Sequence, residues 1–458
     1  MISDGSEQLW QNTAAVSLIQ RRTMRALVGS QIVGGVGVGA AASIGSLLAE
    51  SVTHSESYAG VARTAATLGA AAFGLPLALL AMKTGRRNAL SLGWALSAVG
   101  AVVLVVSATT SSIVLLILGM LMFGSGSATN LQSRYAAADL APPMHRARSL
   151  SVVIWATTIG AVVGPNLAAP GAVVAGALRI PELGGAFVIS AVALALAAGV
   201  LRIALRPDPL LEARRHEAAA ELRSGRKPAA TVPMREVFRL IAVTPNARFA
   251  FVAIVLGHTI MGAVMTMTPV AMTSMGDSLT LVGLTISGHV LGMYAFSPVV
   301  GWLADRIGRF QVILAGQGVF IAAAAFAGLA GHSIIRISVG LFLLGLGWSF
   351  ALVSGSTMLG DSVDPNVRTA VQGTADTAMN IVSAGAAGAS GLVLSTFGFS
   401  GLNLAAAFLI LPVLFLAPTV LRNHPSAGTN RPVLPVEPAV VTEDTLIDNP
   451  ADSDGTAL

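Results

Sequence analysis

Three ionisable residues lie inside apolar runs that should exclude them. Asp376 sits about two turns into a run that begins at Arg368. His258 lies within 249–272 and His289 within 279–303. Charge is costly at membrane depth, so such residues are functional candidates by default. A carboxylate and an imidazole can each take up and release a proton as their access to water changes. Asp376, His258 and His289 are therefore the candidates for proton coupling. Each has a plainer alternative. For Asp376 it is a hydrogen bond near Lys83 at an inner gate; for each histidine, a structural hydrogen bond or a place near the outer surface. Asn380 follows Asp376 by one helical turn and shares its face, within reach of a hydrogen bond to it.

The elements that hold these residues are set by composition. Of 458 residues, 54% are hydrophobic and only 11% are charged, and the mean hydropathy is +0.76. Soluble chains carry roughly 25% charged residues. So little charge cannot cover several soluble cores, and a polytopic membrane protein remains. There is no cysteine, which excludes disulfides, thiolate metal sites and cysteine nucleophiles. The formal charge of +5 does not imply a nucleic-acid partner, because the basic residues sit in short loops between apolar runs. Met1 to Gln20 is polar and mixed, without the apolar core of a cleavable signal.

A helix crossing the ~30 Å hydrocarbon layer needs about 20 mainly apolar residues. Twelve spans are expected near 26–49, 59–82, 88–108, 111–133, 149–172, 185–205, 249–272, 279–303, 310–330, 334–357, 368–393 and 401–421. The runs are continuous rather than alternating, which argues for helices over a barrel. The fold class is therefore an all-α membrane protein. With both termini in the cytoplasm, the outer loops hold only Arg63, Arg179 and Arg336 of the 27 Lys and Arg. That bias sets the topology, with the cell (plasma) membrane as the expected location. The chain divides into a short head (1–24), a six-helix half (25–205), a central loop (206–247), a second six-helix half (248–421) and a Pro-rich acidic tail (422–458) read as disordered. The central loop reads first as a solvated linker, and second as carrying an amphipathic helix over Leu211–Leu222 on the inner membrane face.

The halves repeat. L-A-M-K-T-G-R-R at 80–87 aligns with L-A-D-R-I-G-R-F at 303–310, and D-L-A-P-P-M-H-R at 139–146 with D-S-V-D-P-N-V-R at 361–368. Both pairs fall in equivalent inner loops, which indicates a duplicated unit. Transporters built on such repeats bind substrate at the midplane between the halves.

Gly301-Trp302-Leu303-Ala304-Asp305-Arg306-Ile307-Gly308-Arg309 resembles the loop signature of the major facilitator superfamily, G-x-L-a-D-r-x-G-r. Asp139 to Arg146 resembles that family's loop after span 4. Gly160, Gly164 and Pro165 resemble the span-5 motif of its antiporters. The resemblance covers 21–421 and implies alternating access without a cofactor, with a monomer as the usual form. It implies that Asp305 caps the start of span 5 across the halves. Arg306 and Arg309 would pair there with Asp361, Asp364 or Asp139, beside Gly308, Arg146 and Arg368. The first-half copy carries Met82 where the second has Asp305, so the matching latch onto span 11 is expected to be absent.

Spans lining the cavity in this family offer Gln31, Asn130, Met265 and Trp348, with Trp155 and Asn380 beside them. This weakly charged set suits neutral or lipophilic small molecules. An arginine common in the family's drug exchangers is missing from span 4, where Met120 stands in its place and Arg134 lies nearer the inner end. The run Gly34 to Gly39 lies mid-span without a preceding strand, so it reads as a small packing face, not a nucleotide loop. No Walker motif, metal-ligand set or nucleophile–base set occurs, so an enzyme is not expected. The leading expectation is proton-coupled export of small amphiphilic compounds. Uptake of a small metabolite is the alternative, and a non-transporting scaffold or receptor is the reading from a different class.

Overall fold

The computed structural model describes residues 10–53, 59–163, 167–223 and 233–422, and every regular element among them is a helix. Backbone groups in a bilayer have no water to bond, so continuous apolar runs satisfy them as helices. The first half comprises α1 (Ala14–Thr53), α2 (Ala59–Thr84), α3 (Arg86–Thr110), α4 (Ile113–Ala138), α5 (Arg146–Val163), α6 (Ala168–Leu178) and α7 (Glu182–Ala204). Two helices, α8 (Pro209–Arg223) and α9 (Met234–Val243), lie in the central segment. The second half comprises α10 (Pro245–Ser274), α11 (Leu279–Tyr294), α12 (Ser297–Ile307), α13 (Arg309–Gly328), α14 (Ile334–Asp361), α15 (Pro365–Phe408) and α16 (Leu411–Arg422).

Nine helical stretches among the described residues are long and apolar enough to cross a membrane. The last, Pro365–Arg422, contains both final expected spans, and Gly398 at φ 68° breaks the helix between them. Span 1 is α1, and span 5 is the pair α5 and α6. Span 8 is likewise two helices, because α11 ends at Tyr294 and Pro298 opens α12.

Equivalent helices pack alike. In the first half α3 lies on α4, α2 on α4, α1 on α5 and α1 on α7; in the second, α13 lies on α14, α11 on α14, α10 on α15 and α10 on α16. The repeat extends to the caps. Ser112 and Ser333 each accept a hydrogen bond from the backbone N–H three residues on, opening α4 and α14. Gly85 and Gly308 precede α3 and α13 at φ 91° and 105°, a region that penalises any Cβ. The halves meet chiefly along two helix pairs, α2 with α15 and α5 with α12, with smaller contacts of α5 on α11 and α14 and of α4 on α15. Small residues allow this approach: a Cβ on Gly301 would lie 2.7 Å from the Ala147 carbonyl oxygen, and one on Gly373 would strike Ala78.

Each half has its own core. In the first, Trp94, Phe123, Phe187 and Leu27 are buried; in the second, Phe249, Phe310, Phe320 and Trp348. The glycine run of α1 is a packing face. A Cβ on Gly34 would lie 2.8 Å from the Trp94 ring, and one on Gly37 would lie 2.7 Å from Leu194.

The central segment departs from the solvated linker expected first. Helix α8 docks on the loop end of the first half, where Leu210 packs on Ala81 and Ala89, and Ala213 on Val16 and Leu140. Arg214 donates to the Met82 carbonyl, and Asp208 accepts from the Arg87 N–H at 2.7 Å. The physical reason is that α2 and α3 end with unsatisfied backbone groups, and α8 brings both a donor and an acceptor to them. Leu210 and Ala213 of α8 thus cover protein. The acidic tail expected to be disordered lies outside the described residues.

Candidate functional site

The loops at one end of the bundle bring most of its ionisable side chains together. This charged end holds three linked clusters.

The deepest joins α4 to α15. Arg134, in the last turns of α4, meets Asp376, three turns into α15, at 2.6 Å, with both side chains almost wholly buried. The Tyr135 hydroxyl accepts from Arg134 at 2.7 Å and donates to the same carboxylate oxygen at 3.1 Å. Arg134 also donates to the Ser356 hydroxyl of α14 at 3.2 Å, and its guanidinium lies 4.3 Å from the Tyr135 ring centroid. The other Asp376 oxygen is buried and has no hydrogen-bond partner among the described residues. Removing one member of a buried ion pair leaves the other uncompensated at ~3–5 kcal/mol, whereas forming or dissolving the whole pair is nearly balanced. Such a pair suits a switch better than a static brace.

The second cluster is Arg86, which donates to Asp139 at 2.9 Å and reaches across the halves to Gln372 at 2.9 Å. The third is the loop latch. Asp305 accepts from the Ala147 and Arg148 N–H groups at 3.2 and 2.9 Å, capping the first turn of α5. Asp361 binds Arg146 and, at 2.6 Å, Arg309. Arg309 also donates to the Pro143 carbonyl at 2.6 Å. Arg368 donates to the Gly360 carbonyl at 2.7 Å. Between the clusters lies a cavity of about 20 Å³, lined by Tyr135, Asp139, Arg146, Asp361, Arg368 and Gln372 among others. It has room for about one water. Helix α8 reaches this region too. Burial pushes the Glu217 carboxyl up from its ordinary range, and the nearby Arg368 charge opposes that shift.

Above the Arg134–Asp376 pair the polar residues continue along the same helix faces. Asn130 precedes Arg134 by one turn; its side-chain oxygen accepts from Gln31 at 3.1 Å and from Thr157 at 3.4 Å. On the other half, Trp348 lies two turns before Ser356 on α14 and donates its indole N–H to His258 at 2.9 Å. Tyr294 stands edge-on to Trp348 at 5.6 Å. The stripe therefore offers amides, aromatic faces and one imidazole, ending on the buried ion pair. No group of three or more His, Asp or Glu able to hold a metal occurs among the described residues.

Several expectations change in detail. The partner of Asp376 is Arg134 rather than Lys83, because at that depth α15 meets α2 through Gly74 and Ala78, which carry no side-chain donor, while Arg134 of α4 reaches the carboxylate. Asn380 bonds the Asp376 backbone carbonyl at 2.8 Å, not its carboxylate. That geometry is local to a helix turn, and the carboxylate is already held from the other side. Arg306 lies 5.1 Å from the Trp302 ring centroid on its own helix instead of pairing with an acid. Asp364 caps α15 from within the chain by accepting from Asn366, so α15 does not need a carboxylate at position 82. His289 is buried with Nδ1 2.8 Å from the Leu341 carbonyl and touches no member of the ion-pair clusters. Met265 packs in an apolar cluster beside Ala271 and Met272. Trp155 is 40% exposed on α5. A Cβ on Gly160 would run into the Gly35 backbone, so α5 and α1 cross in contact there. Gly164 and Pro165 lie outside the described residues. Sequence reasoning set Arg134 aside as an inner-end residue and passed over Tyr135, Arg86 and Gln372. The available signal was Arg134 one turn after Asn130, since a guanidinium on a buried face must find a carboxylate.

The Major Facilitator Superfamily model matches residues 27–286 and 250–449. The MFS-type transporter YdeG of Bacillus subtilis strain 168, itself described as uncharacterized, is 37% identical over 394 residues, covering 86% of this chain and 90% of YdeG. The riboflavin transporter RfnT of Brucella anthropi is 29% identical over 412 residues, covering 89% of this chain and 97% of RfnT. The crystal structure of the human organic anion transporter MFSD10 superposes with a TM-score of 0.69 over 87% of this chain and 99% of that one, at 17% identity, and so shares the fold.

Proposed function

Because the chain belongs to the Major Facilitator Superfamily, and is thus a multi-pass membrane transporter of small molecules, we propose that it exports small amphiphilic compounds in exchange for protons. The carrying observation is the Arg134–Asp376 pair, the more deeply buried of the ion pairs between the two halves, at the end of the polar stripe. A proton arriving on Asp376 neutralises the carboxylate, ends its attraction to Arg134 and frees α4 from α15. The latch of Asp305, Asp361, Arg146 and Arg309 then separates as the halves rock. Loss of the proton restores the pair and closes the charged end. That end faces the cytoplasm in this reading, as the bias of Lys and Arg toward its loops supports. His258, whose Nδ1 accepts the Trp348 indole N–H at 2.9 Å on the same polar stripe, stands as a second proton-handling group. The cavity would be lined by Gln31, Asn130, Trp155, Met265, Trp348 and Asn380, which offer amide and aromatic contacts without a fixed charge for the substrate. The close crossing of Gly160 on Gly35 keeps α5 against α1 and supports exchange over leak.

The test is transport in proteoliposomes. With the protein incorporated, an imposed pH gradient should drive movement of a lipophilic dye, and dye addition should drive proton flux. Wild-type protein that moves dye without any proton flux would overturn the coupling.

A second reading is uptake of a small metabolite, supported by similarity to a riboflavin transporter along 97% of that protein's length. Rescue of a riboflavin auxotroph at low external riboflavin would favour it over export.

A further inference from the structure

Away from the ion-pair clusters, α3 and α7 leave a cleft of about 420 Å³ between them near the charged end. Asn88, Ser91, Leu92 and Ala95 line it from α3, and Ala198, Gly199 and Arg202 from α7. Its size falls within the ~300–1,000 Å³ of small-molecule sites. The cleft is graded along the bundle axis. Asn88 and Arg202 lie close to the helix ends at Arg86 and Ala204, at headgroup depth, while Ala95 and Ala198 lie deeper. At the mouth Arg202 donates to the Asn88 side-chain oxygen at 3.1 Å. The floor is open, because a Cβ on Gly199 would meet nothing within 4 Å. Between mouth and floor stands Ser91, only 8% exposed, whose buried hydroxyl has no hydrogen-bond partner among the described residues. Leaving a buried donor unpaired is unfavourable, and a turn of the Ser91 side chain about its Cα–Cβ bond brings this hydroxyl to the cleft, where a molecule filling it supplies the acceptor.

We propose that this cleft binds one anionic glycerophospholipid. Its phosphate meets Arg202 and Asn88, an ester oxygen accepts from Ser91, and one acyl chain lies along Leu92, Ala95, Ala198 and Gly199. A basic residue at headgroup level favours an anionic over a zwitterionic head, and the apolar lower wall requires a chain that a free phosphate lacks. None of these residues belongs to the gate or the polar stripe.

Native mass spectrometry of the full-length protein, offered equal phosphatidylglycerol and phosphatidylcholine with identical chains, tests this directly. Wild type should retain phosphatidylglycerol preferentially, and Arg202→Gln should lower that preference about fivefold, the effect of ~1 kcal/mol per basic residue near the surface. Gly199→Leu fills an open space without a clash and should lower retention of both lipids, which keeps the test alive if Arg202→Gln folds poorly. Arg336→Gln, at the opposite end, should leave the preference as it is. Equal retention of the two lipids by wild type would overturn the proposal. So would unchanged phosphatidylglycerol binding in both cleft variants, or the same loss in Arg336→Gln.

Discussion

Arg134 and Asp376 meet at 2.6 Å with both side chains buried, so a single ion pair ties α4 of one half to α15 of the other. Asp376→Asn should abolish proton-driven transport while leaving substrate binding measurable by tryptophan quenching. The same variant strands a buried guanidinium, and a folding loss of ~3–5 kcal/mol is expected. A double variant, Arg134→Met with Asp376→Leu, should recover stability and remain inactive. Recovery of transport in the double variant would count against the pair as the coupling device.

The latch should bias which end of the bundle is open. Asp305→Ala exposes the Ala147 and Arg148 N–H groups and loses about 1–2 kcal/mol of capping. Because the chain has no cysteine, a single Thr357→Cys in the cavity wall reports access at the charged end. Maleimide labelling there should quicken roughly tenfold when Asp305→Ala is added, as ~1.4 kcal/mol implies. An unchanged rate would mean that the latch does not hold that end shut.

Contact between α1 and α5 should tolerate no side chain. Gly160→Val drives a branched group into the Gly35 backbone, a destabilisation of at least ~1–3 kcal/mol. Reduced thermal stability and a raised proton leak in liposomes are expected. Gly176→Ala, with open space around its Cβ, serves as the silent control.

Docking of α8 should depend on pH through Glu217. Burial raises its folded-state carboxyl above the ordinary value of 4.5, so the docked form binds the proton more tightly than the undocked one. The contribution is complete below the ordinary value and is lost as pH rises through the raised one. The protection factor across 209–223, which removes the intrinsic pH dependence of amide exchange, should therefore rise on acidification within that window. Glu217→Gln should make that protection high and independent of pH. Protection that falls on acidification would reverse the sign and refute the assignment.

Much of the architecture was legible in the chain itself. The apolar runs, the basic loops and the repeated Gly85/Gly308 and Ser112/Ser333 positions are local features, because burial in lipid and helix capping act on neighbouring residues. For the same reason Asp305 could be matched to the start of α5, through a motif that carries its own loop geometry. Position 82 was legible too, as a missing carboxylate, but not its remedy: Asp364 caps α15, and Asp208 and Arg214 of α8 serve the ends of α3 and α2.

The amino-acid sequence by itself determined a membrane protein of two repeated six-helix halves with a deep carboxylate in span 11. Only the tertiary structure decided that this carboxylate belongs to Arg134, that Arg86 reaches Gln372, and that α8 docks on the loop end of the first half. Each of these depends on which faces of distant helices meet. Helical periodicity sets what a face carries, whereas the packing of small residues such as Gly373 on Ala78 and Gly301 on Ala147 sets which face it meets.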